Sequence, residues 1–88
     1  MEIKANIIKK LSEKFLPTEL EVEDQSHLHA NHNEDAKRGG NHFRIFILSE
    51  KFTNIKPIDR HRMAMETLRD EFENGLHAVS FDLKAIDD

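Results

Sequence analysis

Apolar positions recur at helical spacing at the start of the chain. Ile3, Ile7, Ile8, Leu11 and Phe15 form one stripe with lysines and Glu13 opposite, which predicts an amphipathic helix. Pro17 follows at once and ends it. The period then falls to two. Across Thr18–Asp24, Leu20 and Val22 alternate with Glu19, Glu21 and Glu23, the pattern of an antiparallel strand with one wet face. From Gln25 to Asn41 no period survives. Three histidines, several asparagines and Gly39–Gly40 predict a polar loop there, exposed and flexible over residues 27–41.

His42–Ser49 carries the strongest strand signal, with Phe43, Ile45 and Ile47 on one face and His42, Arg44, Phe46 and Leu48 on the other. A short helical turn is expected at Glu50–Phe52. A helix then opens at Pro57, where a missing backbone N–H costs nothing. It is expected to run to about Asn74, with Ile58, Met65, Leu68 and Phe72 inward and His61 in phase, and Asn74–Gly75 as its stop. In a third strand His77, Val79, Phe81 and Leu83 alternate with Ala78, Ser80, Asp82 and Lys84. Residues 85–88 read as a frayed tail.

This order of elements predicts an α+β fold. It is a KH-like two-layer sandwich, α-β-β-(α)-α-β, with a three-stranded mixed sheet and two long helices plus a short helical turn on one face. A single domain spans residues 1–88. A KH domain clamps phosphates with a Gly-x-x-Gly loop. Gly39, Gly40 and Gly75 do not make that spacing, so the layout is predicted without the mechanism.

The chain has no cysteine, which excludes disulfides, thiol catalysis and any iron–sulfur cluster held by its own thiolates. No stretch approaches the ~20 apolar residues of a membrane span, and the first ten residues alternate charged with apolar. The expectation is a cytoplasmic protein away from membranes, with a removed transit segment as the alternative. Net charge is −4, but it is unevenly spread. Ala36–Arg69 holds eight basic residues against three acidic ones, and the remainder holds five against fourteen. That central segment is either a face for an acidic or phosphate-bearing partner or a solvated helix surface. No glycine-flanked serine is present, and Glu71 and Glu73 fall on different sides of their helix, so no catalytic set is visible. The expectation is a non-enzyme.

At several places the sequence stops being generic. Glu21-Val22-Glu23-Asp24-Gln25-Ser26 leads into the histidine-rich segment. His42-Phe43-Arg44-Ile45, Ser49-Glu50-Lys51-Phe52, Arg60-His61-Arg62-Met63 and His77-Ala78-Val79 follow. Together, over roughly Ile3 to Leu83, they closely resemble the BolA family. Two positions depart from its pattern. Asn54 stands where members usually carry glycine, and the usual His-Ala-Leu is His-Ala-Val here.

The resemblance implies association with a monothiol glutaredoxin and a role in iron–sulfur assembly or iron homeostasis. In the shared [2Fe–2S] cluster, a glutaredoxin cysteine and glutathione supply thiolates and the BolA-like chain supplies imidazole nitrogen. The positions that match the family's donors are His77 and His29, with His32 and His27 as further candidates. Arg60, His61 and Arg62 fall on the segment expected to meet the partner. Members also act as transcriptional or morphology regulators. On that alternative the Lys56–Arg69 helix would read DNA through Lys56, Arg60, Arg62 and Arg69, although Asp59, Glu66, Asp70 and Glu71 interleave with them. Read locally, the histidines have plainer roles. Strand phase alone puts His77 on the core face, His61 suits a helix–sheet junction, His42 reads as structural, and the loop histidines are spaced for adventitious zinc or nickel.

Overall fold

A computed structural model describes residues 3–25 and 41–87. The elements are α1 (Ile3–Phe15), β1 (Glu19–Asp24), β2 (Asn41–Leu48), a 3₁₀ turn (Glu50–Phe52), α2 (Pro57–Thr67), α3 (Arg69–Glu73) and β3 (Leu76–Lys84). The architecture is α+β with one mixed three-stranded sheet, as the periodicity predicts. The expected loop at 27–41 lies almost wholly outside the described residues.

Helix α1 buries Ile7, Leu11 and Phe15. It ends at Phe15 because a residue before proline is disfavoured in right-handed helix. Leu16 takes φ 44° instead and donates its N–H to the Ser12 carbonyl at 3.1 Å. β2 is the central strand of the order β1-β2-β3. β1 pairs with it antiparallel, from Glu19↔Leu48 to Asp24↔Phe43. β3 pairs with it in parallel, which requires a crossover connection, supplied by α2 and α3. Phe43, Ile45 and Ile47 on the inner face of β2 are buried with Ala64 and Leu68 of α2–α3 and the α1 stripe. Leu20, Val22, Val79, Phe81 and Leu83 from the two edge strands pack around them.

Ser49 explains the Ser-x-x-Phe motif. Its buried hydroxyl donates to the Phe15 carbonyl at 2.6 Å and accepts from the Lys51 N–H at 3.0 Å. One side chain thus caps the 3₁₀ turn and holds the end of α1 over it. The turn then drops Phe52 into the core, with its ring 4.8 Å from that of Phe15. Asn54 closes the turn at φ 64°, a conformation that asparagine tolerates better than most residues.

The structure departs from expectation in three ways after this turn. The second helical stretch is not continuous to Asn74 but breaks at Leu68 (φ −99°, ψ 12°). Just before the break, Thr67 Oγ1 donates to the Met63 carbonyl at 2.8 Å, a back-bond of the kind that bends helices. The inner face is also different. Arg60, Ala64, Leu68 and Glu71 are buried, whereas Ile58, expected inward, is 67% exposed. Arg60 and Ala64 are the buried residues of α2. The bend at Leu68 turns Glu71 toward α1, where its Oε1 lies 2.6 Å from Lys10 Nζ, at ion-pair distance without an aligned hydrogen bond. Third, the tail is not frayed from Ala85, which is buried in the core.

Candidate functional site

The C-terminal end of β1 and the N-terminal ends of β2 and β3 meet at one end of the sheet, as Asp24↔Phe43 and Asn41↔Leu76 show. Gln25 extends β1 there by donating its N–H to the His42 carbonyl at 2.7 Å. The β2–β3 ladder is irregular at this end. Asn41 pairs with Leu76, but the next residue, His42, pairs with Ala78. His77 is the extra residue of a β-bulge.

The bulge reverses the strand phase on which the core reading of His77 rests. Leu76, which strict alternation would turn outward, is 4% exposed, and His77 is out in solvent. Such bulges re-aim one side chain while the rest of the strand keeps its faces. His77 is aimed at His42, with ring centroids 5.3 Å apart and planes inclined by 42°. A shallow hollow of about 160 Å³ opens at this end, lined by Gln25, His42, Phe43, Ala78, Val79 and Ser80.

The expected loop donor His29, with His32 and His27, lies outside the described residues. The segment holding them departs after Gln25 and returns at Asn41, both at the His77 end. β1 and β3 flank β2 on opposite sides, and Gln25 and Asn41 share one end of the sheet with His77. Among the described residues no group of three or more histidine, aspartate or glutamate side chains is placed to hold a metal. Two imidazoles alone make an incomplete donor set for a metal.

The helical candidates separate. Arg60, expected on a partner-facing or nucleic-acid-facing surface, is instead 8% exposed. It donates from Nε to the Ile55 carbonyl at 2.7 Å and from a terminal nitrogen to the Leu83 carbonyl at 3.1 Å. Its guanidinium also lies 5.9 Å from the centre of the Phe52 ring. It ties α2 to β3, because an inward-turned guanidinium must satisfy its donors on backbone carbonyls. His61 is exposed and meets Phe81 edge-on at 5.4 Å. Arg62 faces solvent beside Asp59 (3.3 Å), and Arg69 faces it beside Glu66 (3.9 Å). Lys56 is exposed at the start of α2. His42 is the residue that sequence reasoning undervalues. Its outward phase in β2 is visible in the pattern, but its nearness to His77 depends on a bulge that no local pattern announces.

A family model for BolA-like protein matches residues 11–88. The chain belongs to the BolA family. Its relatives include the DNA-binding transcriptional regulator BolA of Vibrio cholerae, 39% identical over 84% of this chain and 66% of that protein. Another is SufE-like protein 1, chloroplastic/mitochondrial, of Arabidopsis thaliana, 40% identical over 84% of this chain. This chain spans only 21% of that second relative, which carries BolA sequence as one part of a longer protein. Among solved structures, the BolA domain of SufE1 from Arabidopsis thaliana superposes with a TM-score of 0.84 at 36% identity, covering 99% of this chain and 95% of that one. BolA1 from the same plant gives 0.84 at 31% identity, over 100% and 96%. No helix among the described residues is long and apolar enough to cross a membrane.

Proposed function

We propose that this BolA-family chain is a non-enzymatic module that binds a monothiol glutaredoxin and shares or regulates its [2Fe–2S] cluster through histidine. The observation that carries this reading is the position of His77, lifted from the core by the bulge and exposed beside His42. A chain without cysteine has no thiolate to offer iron, and an exposed imidazole reaches a partner's cluster without opening the fold. The partner's cysteine and glutathione supply the thiolates, and the cluster, when shared, contributes electron or iron–sulfur transfer chemistry. His77 donates one nitrogen. His29 is a second donor, with His32 and His27 behind it, entering from the segment anchored at Gln25 and Asn41. Substituting imidazole for thiolate removes negative charge, and protonation abolishes ligation, which suits transfer or sensing. His61 and Arg62 present an exposed polar patch on α2 for the same partner. The test is to mix the protein with a glutathione-loaded, cluster-bearing monothiol glutaredoxin and record the visible spectrum. A new spectrum that His77→Ala alters supports the reading. An unchanged spectrum from the wild-type mixture rejects it.

The second reading is DNA-binding regulation, which the name of the Vibrio cholerae relative supports. Here the contacts would come from Lys56, Arg62 and Arg69, since Arg60 is committed to the interior. Arg62 and Arg69 each stand beside a carboxylate one helical turn earlier, which weakens their pull on phosphate. Salt-dependent binding to duplex DNA checks it. An arginine that neutralises a phosphate adds about one to the salt slope, so Arg62→Ala and Arg69→Ala should each lower the slope by that amount. An unchanged slope in both variants removes the helix from consideration.

A further inference from the structure

The core of this protein lies on one side of its sheet, and among the described residues nothing packs on the other. That open face is not uniformly polar. Phe46 and Leu48 point into it from the central strand and are only half-buried. Phe46 lies at a depression of about 400 Å³ whose other lining residues are Glu19, Glu21, Glu23, Arg44 and Asp82. The register places Phe46 directly between Glu21 on β1 and Asp82 on β3. Four carboxylates against one guanidinium leave the depression negative around an aromatic ring, with Lys84 at its margin, its Nζ 3.9 Å from Asp82 Oδ1.

This combination selects its occupant. The face of an aromatic ring attracts cations, and carboxylates on either side add directed hydrogen bonds and long-range attraction. Phosphate backbones, anionic lipid and acidic peptides are repelled. A second copy presenting the same face brings the same charge and is disfavoured as well. Of the described basic residues in Ala36–Arg69, Arg44 lines the depression, while Lys56, Arg62 and Arg69 lie on or beside α2 and α3. We propose that the open face of the sheet docks a basic, extended segment of a partner protein, with an arginine or lysine cation seated on Phe46 between Glu21 and Asp82. An extended segment turns every second side chain to the same side, so alternate basic residues meet this face together. The inference does not depend on the cluster reading, since none of these residues belongs to the histidine site.

A fluorescently labelled peptide of alternating arginine and serine, followed by anisotropy, tests it. Wild-type protein should bind, with affinity falling as salt rises. The Glu21→Gln/Asp82→Asn double variant should bind roughly tenfold more weakly or worse. Phe46→Leu, which keeps an apolar side chain but removes the ring, should lose about threefold. Arg44→Gln should tighten binding, because it removes the cation within the depression. The comparison is Glu13→Gln/Glu73→Gln, the same charge change at exposed positions on α1 and α3, which should shift affinity by less than about twofold. Equal weakening by this control overturns the proposal, as does peptide binding unaffected by Phe46→Leu, or none even at low salt. Concentration-dependent dimerisation abolished by Phe46→Leu overturns it in favour of a self-interface.

Discussion

His42 and His77 hold their rings 5.3 Å apart although they are not register partners. Each belongs to a different strand, and the one-residue bulge in β3 swings His77 toward the outward side chain of His42. Replacing His77 with alanine should change stability by less than about 0.5 kcal/mol, as expected of an exposed residue away from caps and cores. It should nonetheless alter the visible circular dichroism of the mixed cluster and shorten its lifetime. His42→Ala should give a smaller spectral change, and His29→Ala a weaker loss than His77→Ala. An intact complex with an unaltered spectrum in the His77→Ala protein would reduce this histidine to a surface residue.

Ser49→Ala should destabilise the protein by about 1–2 kcal/mol, measured by urea unfolding. It leaves the Phe15 carbonyl without its donor in a buried place and uncaps the 3₁₀ turn at once. The midpoint should fall with little change in slope, since the surface exposed on unfolding is nearly the same.

The Lys10–Glu71 contact makes a prediction about alkaline pH. The side-chain contact with Glu71 raises the Lys10 ammonium above its ordinary 10.5, and the nearby Asp70 acts in the same direction. A folded-state pKa above the unfolded value means that the stabilisation is fully present below pH 10.5 and is lost as pH climbs through the higher folded value. Unfolding midpoints measured across this range should fall more steeply for wild type than for Glu71→Gln, which deprives Lys10 of the partner. Parallel curves would show that solvent screens the pair completely.

Asn54 occupies a left-handed backbone position in the turn that follows Phe52. Asn54→Gly, which restores the residue usual in the family, should be neutral or stabilise slightly. Asn54→Ala should cost about 1 kcal/mol, because a Cβ without a compensating side-chain polar group is strained there. Thermal unfolding of the two variants should rank glycine above alanine. The reverse order would contradict the turn geometry.

The fold is largely legible in the sequence because its elements announce themselves through period. The Leu20/Val22 alternation, the Phe43–Ile45–Ile47 face and the Ile7–Leu11–Phe15 stripe all lie where the pattern places them. The errors have two causes. Arginine and glutamate count as surface residues in any pattern, yet Arg60 and Glu71 are inside, one anchored on carbonyls and the other on a lysine, while the apolar Ile58 is out. Helical period alone therefore misjudges which stripe of that helix faces the sheet. The bulge is the second cause. A single inserted residue shifts phase over two positions only, too short a stretch for periodicity to register. It nonetheless decides whether His77 is core or site. The family motif points to His77 against its strand phase. His42, which has no phase conflict, stands out only once the two strands lie side by side.

The parallel pairing of β2 with β3 has a consequence for how the protein is made. The core needs Leu76 and Ala85, and the strand that lies beside Phe43, Ile45 and Ile47 is made only after α2 and α3. Until then β1 and β2 form at best a two-stranded sheet whose joining segment runs from 25 to 40, and such ribbons are barely stable in water. Pairings so distant in sequence also close slowly. During synthesis the growing chain therefore carries a bare apolar strand with a free hydrogen-bonding edge. In that interval, more than in the finished molecule, this sequence is exposed to misassociation and to the attention of chaperones.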